Sequence, residues 1–394
     1  MPSFNYMMLY CERLSNTEVP QRFARWCAVA SLLAALERRV SIRQGVYNIY
    51  PNFYMVLVAA SGQKKSTAIN LVGKLLRRLS PPPTVVSQKI TPEALIAALS
   101  MSATDDGVIN LKSTCGGIVV ADELATFLDK SALDRGLGPI LTALYDCTPF
   151  EYTTKKEGIQ RIDDGYLSIL GGTTIELLRN SLPKDAIGGG FTSRTMFVYE
   201  DQLSAPVAWI DYDPRMDEIE QECVNYLQRL LELKGMVELT PEAKAFYIKD
   251  YNDRYTDTER KRDPLLSSYE NRRHAHLLKL AIALMVCEEP SLKMERYHIN
   301  GAKIILEEAE VYLSRVMQLV TATDVGILSN QVYAYIRQHG VVYRADLVRH
   351  FANQLDAADI SKQIDTLVQG QRVVLDQLNG KLVYRDLMAT VAKV

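Results

Sequence analysis

The chain has 394 residues, of which 47% are hydrophobic and 23% are charged. This composition is ordinary for a globular protein and excludes a disordered, collagen-like or disulfide-scaffold chain. The 45 lysines and arginines and the 47 aspartates and glutamates leave a net charge of −2, so any contact with nucleic acid must come from a local patch. The six cysteines include no C-x-x-C pair, and no apolar run approaches the ~18 residues that cross a bilayer. We therefore expect a cytoplasmic protein with reduced thiols and no membrane contact.

The N-terminal residues 1–45 are predicted to be helical, because apolar residues from Trp26 to Leu36 recur at three- and four-residue spacing. Five short apolar runs then predict strands, and most are separated by helical stretches such as 92–100 and 137–145. The five runs are 53–60, 84–88, 117–121, 166–171 and 195–199. Strands that alternate with helices predict an α/β fold with a parallel sheet covered on both faces.

The second half of the chain is predicted to be mainly helical. Helices are expected over 217–233, 241–255, 269–286 and 300–319. Thr240 and Asn300 stand at the cap positions of two of them. Residues 325–387 then predict three helices, ending near residues 338, 352 and 370, and a hairpin of two strands whose turn contains Asn-Gly. Three helices followed by a hairpin is the order of a winged helix.

The most informative stretch is Ala-Ala-Ser-Gly-Gln-Lys-Lys-Ser-Thr at residues 59–67, which follows a predicted strand and opens a helix. A nucleotide phosphate needs backbone N–H groups at a helix N-terminus, a lysine, and a hydroxyl for Mg²⁺, and Lys65 and Ser66 stand in those places. Lys64 occupies a glycine position of the motif G-x-x-x-x-G-K-[ST], and Gly62 is the one glycine left. A non-glycine residue at this turn is expected to need a positive φ, which costs roughly 1 kcal/mol. The alternative is a chance strand–helix turn with two solvated lysines.

An acidic pair, Asp122 and Glu123, follows the predicted strand 117–121. In a nucleotide hydrolase, one such carboxylate supports Mg²⁺ and the next activates the attacking water. An ordinary exposed strand end is the alternative interpretation. One predicted strand, 84–88, lies between the phosphate loop and this pair, and this position favours the nucleotide site.

Residues 152–164 predict a hairpin with a basic tip, and Lys155, Lys156 and Arg161 are candidates to bind DNA there. Cationic groups on a projecting loop suit a single DNA strand, although most charged hairpin tips are merely solvated. The next strand ends at Thr173-Thr174. A polar side chain at this end is a candidate to contact the γ-phosphate or the attacking water, or alternatively to cap the following helix.

Three arginines are further candidates. Arg194 precedes the fifth predicted strand, where it either stabilises transition-state charge in a neighbouring subunit or forms a structural salt bridge. Arg272 and Arg273 open an apolar helix from which they are candidates to reach nucleotide. His274 and His276 lie on different faces of that helix, so we do not expect them to bind a metal.

The order of these motifs resembles the AAA+ ATPases. The likeness is greatest to helicase-like P-loop proteins of phages and mobile elements, which are related in layout to minichromosome maintenance and superfamily-three helicases. It covers about residues 20–290. The segments that carry it are 50–67, 121–123, 167–174, 190–194 and Arg-x-x-x-x-x-Lys-Leu-Ala at 273–281.

The resemblance implies four regions around an AAA+ parallel sheet flanked by helices. They are an N-terminal helical segment (1–45), a nucleotide-binding core (46–205), a helical lid (206–322) and a C-terminal winged helix (325–394).

It also implies roles for single residues, with ATP and Mg²⁺ as the cofactors. The ATP-binding residues would be Gly62, Gln63, Lys64, Lys65, Ser66, Thr67, Asp122, Arg272 and Arg273. Ser66 and Asp122 would hold Mg²⁺, and Glu123 would be the general base. Thr174 would be the sensor-one residue, where such helicases more often carry Asn, and Arg194 would be the arginine finger that acts in trans.

The function expected from this resemblance is a ring-forming, hexameric DNA helicase or translocase that acts in the replication of a phage or mobile element. Single-stranded DNA would pass through the central channel and contact the hairpin lysines. The would-be recognition helix of the winged helix carries Lys362 between Asp359 and Asp365, so we favour a replication protein over a DNA duplex as its partner. Two alternatives stay open: a helicase loader or replication initiator, and a non-hydrolysing DNA-binding scaffold with a vestigial phosphate loop.

Overall fold

The structure is a computed structural model that describes residues 4–87, 90–103, 109–111, 116–128, 132–133, 136–154, 158–182, 190–202, 206–257, 266–321, 324–378 and 380–387. The chain divides into two compact units, Met1–Val320 and Thr321–Val394.

The helices up to residue 321 alternate with strands in the first half and follow one another in the second. They are α1 (Tyr6–Arg13), α2 (Gln21–Leu36), α3 (Lys65–Leu76), α4 (Pro92–Ser100), α5 (Leu124–Phe127), α6 (Leu137–Asp146), α7 (Ile175–Ser181), α8 (Pro214–Leu230), α9 (Pro241–Thr256), α10 (Ser267–Glu270), α11 (Arg273–Met285) and α12 (Arg296–Thr321). The strands of this unit are β1 (Val40–Gln44), β2 (Tyr47–Ile49), β3 (Tyr54–Val58), β4 (Val85–Val86), β5 (Met101–Ala103), β6 (Ile109–Leu111), β7 (Gly116–Ala121), β8 (Phe150–Thr154), β9 (Gly158–Ile162), β10 (Tyr166–Thr173), β11 (Thr195–Tyr199), β12 (Gly235–Met236), β13 (Glu238–Leu239) and β14 (Lys293–Met294).

The five predicted strands are confirmed, and they form one sheet in the order β11-β3-β10-β7-β4 with every neighbouring pair parallel. Every residue of β3 and β10 is buried, which explains their unbroken apolar sequence. The chain leaves β3 for β4 at one edge of the sheet and leaves β10 for β11 at the other. Such a reversal opens a crevice at the carboxyl ends of the two central strands, where ligands of α/β proteins bind.

Two consecutive glycines let helices approach both faces of β10. A Cβ added to Gly171 would lie 2.8 Å from Leu124 Cδ1 of α5. A Cβ added to Gly172 would lie 2.9 Å from Ile69 Cδ1 of α3. Because successive strand residues point to opposite faces, α3 and α5 cover opposite sides of this central strand.

The N-terminal segment packs into this core, but it is not helical throughout. Helix α2 ends at Leu36, and β1 and β2 form an antiparallel hairpin whose turn contains Gly45 at φ +58°. A short 3-10 helix, Glu37–Arg39, follows α2. The helical prediction for residues 1–45 is therefore wrong from Val40 onward, where Val40 and Ile42 alternate with polar residues as in a half-buried strand. Helix α1 is tied to the end of α11 by a hydrogen bond from Tyr6 N to Cys287 O at 2.8 Å.

The helices predicted after residue 206 are present with altered ends. Thr240 caps α9 as predicted, because its side chain accepts a hydrogen bond from Ala243 N. Asn300 is not a cap: α12 begins at Arg296, one turn earlier. The predicted helix over 269–286 is divided at Arg272 into α10 and α11. The two-residue strands β12, β13 and β14 carried no signal long enough to predict.

The second unit contains the elements predicted for it, together with one further short strand. It comprises α13 (Asp324–His339), β15 (Val341–Tyr343), α14 (Arg344–His350), α15 (Ala357–Gln369), β16 (Val373–Leu378) and β17 (Lys381–Asp386). The strands form an antiparallel sheet in the order β15-β17-β16. Val332, Ile336, Leu347 and Ile360 form part of a separate apolar core.

Candidate functional site at the carboxyl edge of the sheet

The loop between β3 and α3 has the conformation of a tight turn that ends at a helix N-terminus. Gly62 has a φ of +84° and Lys64, which precedes the first residue of α3, has a φ of +52°. The expectation that a non-glycine residue takes a positive φ at this turn is therefore confirmed at Lys64. Such a conformation costs roughly 1 kcal/mol, and the ion pair of Lys64 Nζ with Glu18 Oε2 at 2.9 Å helps to hold it.

Lys65 is buried, and its amine lies inside the loop. Its Nζ donates hydrogen bonds to Ala59 O at 2.9 Å and Ala60 O at 2.8 Å. Burial lowers the pKa of Lys65, and the nearby Glu123 carboxylate opposes that shift. A cation buried beneath a loop of backbone N–H groups suits an anionic ligand.

The other loop residues differ in their exposure. Ser66 and Thr67 are exposed on the first turn of α3, where a hydroxyl can contact a metal or a phosphate. The Gln63 side chain is buried, and its oxygen has no hydrogen-bond partner within the described ranges.

The acidic pair lies at the same edge. Asp122 is exposed directly after β7, while Glu123 begins α5 by accepting a hydrogen bond from Ala125 N at 3.2 Å. Glu123 Oε1 also accepts a hydrogen bond from Thr173 Oγ1 at 3.1 Å. Burial lowers the pKa of Lys65, and the Glu123 carboxylate acts to raise it. The predicted base and the predicted phosphate lysine therefore belong to one cluster.

The two threonines at the end of β10 have different contacts: Thr174 caps a helix, and Thr173 contacts Glu123. Thr174 caps α7 through a hydrogen bond from Leu177 N at 3.2 Å, which is the alternative considered for it. Thr173 is fully buried, pairs in register with Val58 just before the phosphate loop, and reaches Glu123. The sequence placed both threonines at this strand end, but only the strand register separates them.

Arg194 and Arg272 meet at the opposite, amino edge of the sheet. Arg194 Nε donates to Asp146 Oδ1 at 3.1 Å, and its Nη2 donates to the other oxygen of that carboxylate. Arg272 Nη1 also donates to Asp146 Oδ1, at 3.1 Å. All three side chains line a cavity of about 720 Å³. Asp146, which the sequence analysis did not identify, is thus the shared partner of two predicted arginines.

The two edges are well separated. Strand residues rise ~3.3 Å each, so Asn52 before β3 and Ala59 after it lie roughly 20 Å apart. Arg194 immediately precedes β11, which runs parallel to β3. Arg194 and Arg272 are both held by Asp146 at the amino edge. Neither side chain is long enough to reach the phosphate loop of its own chain.

Arg273 has a different environment. Its side chain is only 3% exposed and forms ion pairs with Glu310 at 2.7 Å, Asp250 at 3.2 Å and Glu307 at 3.6 Å. Three carboxylates therefore surround the guanidinium that was expected to contact nucleotide. These contacts join α11 to α9 and α12, and they give Arg273 a structural role in the helical region.

Two buried groups on α11 lie near the arginine pair. Lys279 Nζ donates to Asn52 O at 2.9 Å and to Asn52 Oδ1 at 2.7 Å, and burial lowers the pKa of this lysine to about 8. His276 is fully buried against Phe53, Tyr145 and Tyr269. Burial lowers the pKa of His276 well below its usual value, so the ring is neutral.

The remaining candidates concern DNA, metals and membranes. The hairpin predicted over 152–164 is present as β8 and β9, with Arg161 in β9, while Lys155 and Lys156 lie outside the described residues. Within the ranges given above, no group of three or more His, Cys, Asp or Glu side chains is arranged to hold a metal ion. In the same ranges no helix combines the length and apolar character needed to span a membrane.

Comparison with protein-family models finds no match for this chain, and comparison with curated proteins finds none either.

Proposed function

We propose that this protein is an ATPase that assembles into a ring and acts as a DNA helicase or translocase in the replication of a phage or mobile element.

 The proposed ring is a hexamer, and its cofactors are ATP and Mg²⁺. Its substrate is single-stranded DNA held in a central channel.

One observation carries the proposal: the phosphate loop, the buried Lys65, the acidic pair and Thr173 lie together at the carboxyl edge of a parallel sheet. In this arrangement Lys65 and the N-terminal amides of α3 would bind phosphate oxygens. Ser66 and Asp122 would hold Mg²⁺, which neutralises charge on the β- and γ-phosphates. Glu123, oriented by Thr173, would accept the proton of the attacking water.

The position of the arginine pair supports the proposed ring. Arg194 and Arg272 lie at the amino edge, roughly 20 Å from the loop along the strand direction, so they would act on the nucleotide of a neighbouring subunit. An arginine supplied to the γ-phosphate in this way accelerates hydrolysis by roughly 10³–10⁵-fold. Hydrolysis would therefore depend on contact between subunits.

The second unit is proposed to bind a replication protein. The exposed Lys362 of α15 lies 3.6 Å from Asp359 of the same helix, which leaves little positive charge for a DNA backbone. On the β16–β17 hairpin, Leu375 and Leu382 are exposed, and apolar side chains of this kind fit a protein partner better than phosphates.

The test is steady-state ATP hydrolysis with and without single-stranded DNA. We expect Lys65→Ala to abolish hydrolysis through loss of nucleotide binding. Glu123→Gln should retain ATP binding and lower kcat by roughly 10²–10⁴-fold. Lys74→Ala is the matched control, because Lys74 lies on the same helix α3, is exposed, and pairs with Glu220 away from the loop.

Each outcome assigns the function differently. Hydrolysis that DNA stimulates, followed by strand displacement, supports the helicase or translocase. ATP-dependent oligomers that bind DNA without displacing a strand support the loader or initiator. A Glu123→Gln variant with full turnover, or a wild-type chain that binds no nucleotide, refutes the proposed ATPase and leaves the scaffold.

A further inference from the structure

An exposed aromatic segment connects the sheet to the helical region. Within residues 206–213, between β11 and α8, Trp209 is 81% exposed, Ile210 is 54% exposed and Tyr212 is 78% exposed. Three large apolar side chains in four residues form a local concentration of the kind that marks a binding surface. The indole is held locally, because Trp209 Nε1 donates a hydrogen bond to Asp211 Oδ1 at 3.1 Å.

Glu18 places this segment beside the phosphate loop. One carboxylate oxygen of Glu18 accepts a hydrogen bond from Val207 N at 3.1 Å, and the other pairs with Lys64 Nζ at 2.9 Å. The contact with Lys64 lowers the pKa of Glu18 most, and the hydrogen bond from Val207 N lowers it further. The carboxylate that joins the two segments is therefore ionised. Consecutive Cα atoms are 3.8 Å apart, so Trp209 lies within about 8 Å of Val207 along the chain.

A second contact, at the end of β11, also lies close to the phosphate loop. Glu200 N, one residue after β11, donates a hydrogen bond to Val58 O, the last residue of β3, at 3.0 Å. The chain therefore leaves β11 at the carboxyl edge of the sheet, where the phosphate loop also lies.

We infer that Trp209 contacts the base of the nucleotide whose phosphates the loop binds; this inference rests on the proposed function. The loop supplies positive charge and backbone N–H groups, which recognise phosphates. These groups provide no binding surface for the base. An indole offers a flat apolar face on which a base can stack. Trp209 would thus supply recognition of the nucleoside part of ATP.

Tryptophan fluorescence provides a direct test, because the sequence has two tryptophans and Trp26 is only 1% exposed. We expect ATP to change the emission of Trp209 and to reduce its quenching by iodide. Tripolyphosphate, which has no base, should bind the same loop without either change. Trp209→Phe should remove the signal while Trp26 continues to emit.

Affinity measured by calorimetry supplies the second readout. Trp209→Ala should weaken ATP binding by roughly 5- to 150-fold and change tripolyphosphate binding by less than about twofold. Trp209→Phe, which retains an aromatic face, should lose less affinity than Trp209→Ala.

The outcomes separate this inference from the proposed function. If ATP binding requires Lys65 but neither emission nor affinity depends on Trp209, the inference is overturned while the nucleotide site stands. If ATP fails to bind the wild-type chain, both fail. If Trp209 emission changes with protein concentration and not with ATP, a second copy of the chain covers the indole, and the inference is again overturned.

Discussion

Gly172 controls how closely the phosphate-loop helix approaches the sheet. An alanine Cβ at this position would lie 2.8 Å from Asp122 O, 2.9 Å from Ile69 Cδ1 and 3.5 Å from Lys65 Cβ. The Ile69 methyl group can rotate away, but the Asp122 carbonyl belongs to the backbone that leads into Glu123. Gly172→Ala therefore requires a shift of the strand–helix turn after β7.

Overpacking of this kind costs about 1–3 kcal/mol. We expect Gly172→Ala to lower the free energy of unfolding by that amount, measured by urea denaturation with the emission of the buried Trp26 as the signal. Nucleotide affinity should fall as well, because the added methyl group would press on Asp122 O and contact Lys65 Cβ, which belong to the two segments that form the site.

Gly138→Ala is the matched control. Gly138 is the second residue of α6, and a Cβ there would meet no atom within 4 Å. Since alanine favours a helix over glycine by up to about 1 kcal/mol, this variant should be as stable as the wild type or more stable. If Gly172→Ala and Gly138→Ala have the same unfolding free energy, the close approach at Gly172 is not a constraint and the reasoning fails.

Two further predictions concern the opposite edge of the sheet. Because burial lowers the pKa of His276 well below its usual value, the unfolded chain binds a proton near pH 6.5 that the folded chain does not. The free energy of unfolding is therefore unaffected by this group above pH 6.5. Below pH 6.5 it falls by up to about 1.4 kcal/mol per pH unit, because the unfolded chain is protonated at this histidine. His276→Leu should reduce the loss of stability between pH 7.5 and pH 5.5 in urea titrations, and an unchanged loss would contradict the assignment. Asp146→Asn should lower the unfolding free energy by about 2 kcal/mol, because it leaves the buried Arg194 guanidinium without a carboxylate. Arg194→Met should lower the unfolding free energy less, since Asp146 is partly exposed and still pairs with Arg272. Equal losses of unfolding free energy in urea denaturation would refute this asymmetry.

Local sequence was sufficient to predict the central sheet and the phosphate loop. The runs that became β3 and β10 are apolar throughout because both of their faces are covered. The positive φ of Lys64 also followed from its place in the motif.

Contacts between distant residues were beyond the reach of the sequence. Asp146 precedes Arg272 by more than a hundred residues, and nothing near either residue indicates the pair that they form. The carboxylates around Arg273 likewise come from two other helices. The choice between Thr173 and Thr174 depended on where β10 ends, and strand ends are the least certain part of a sequence-based prediction.

The hydrogen bond from Tyr6 to Cys287 has a consequence for how the protein is made. At roughly 5–20 residues per second, a ribosome needs on the order of tens of seconds between adding these two residues. During that time α1 lacks its anchor at the end of α11, and the apolar face of α2 lacks part of its cover. Early fragments of the chain would therefore expose surfaces that chaperones bind, and a nascent chain stalled before residue 287 should be far more sensitive to protease than the released protein.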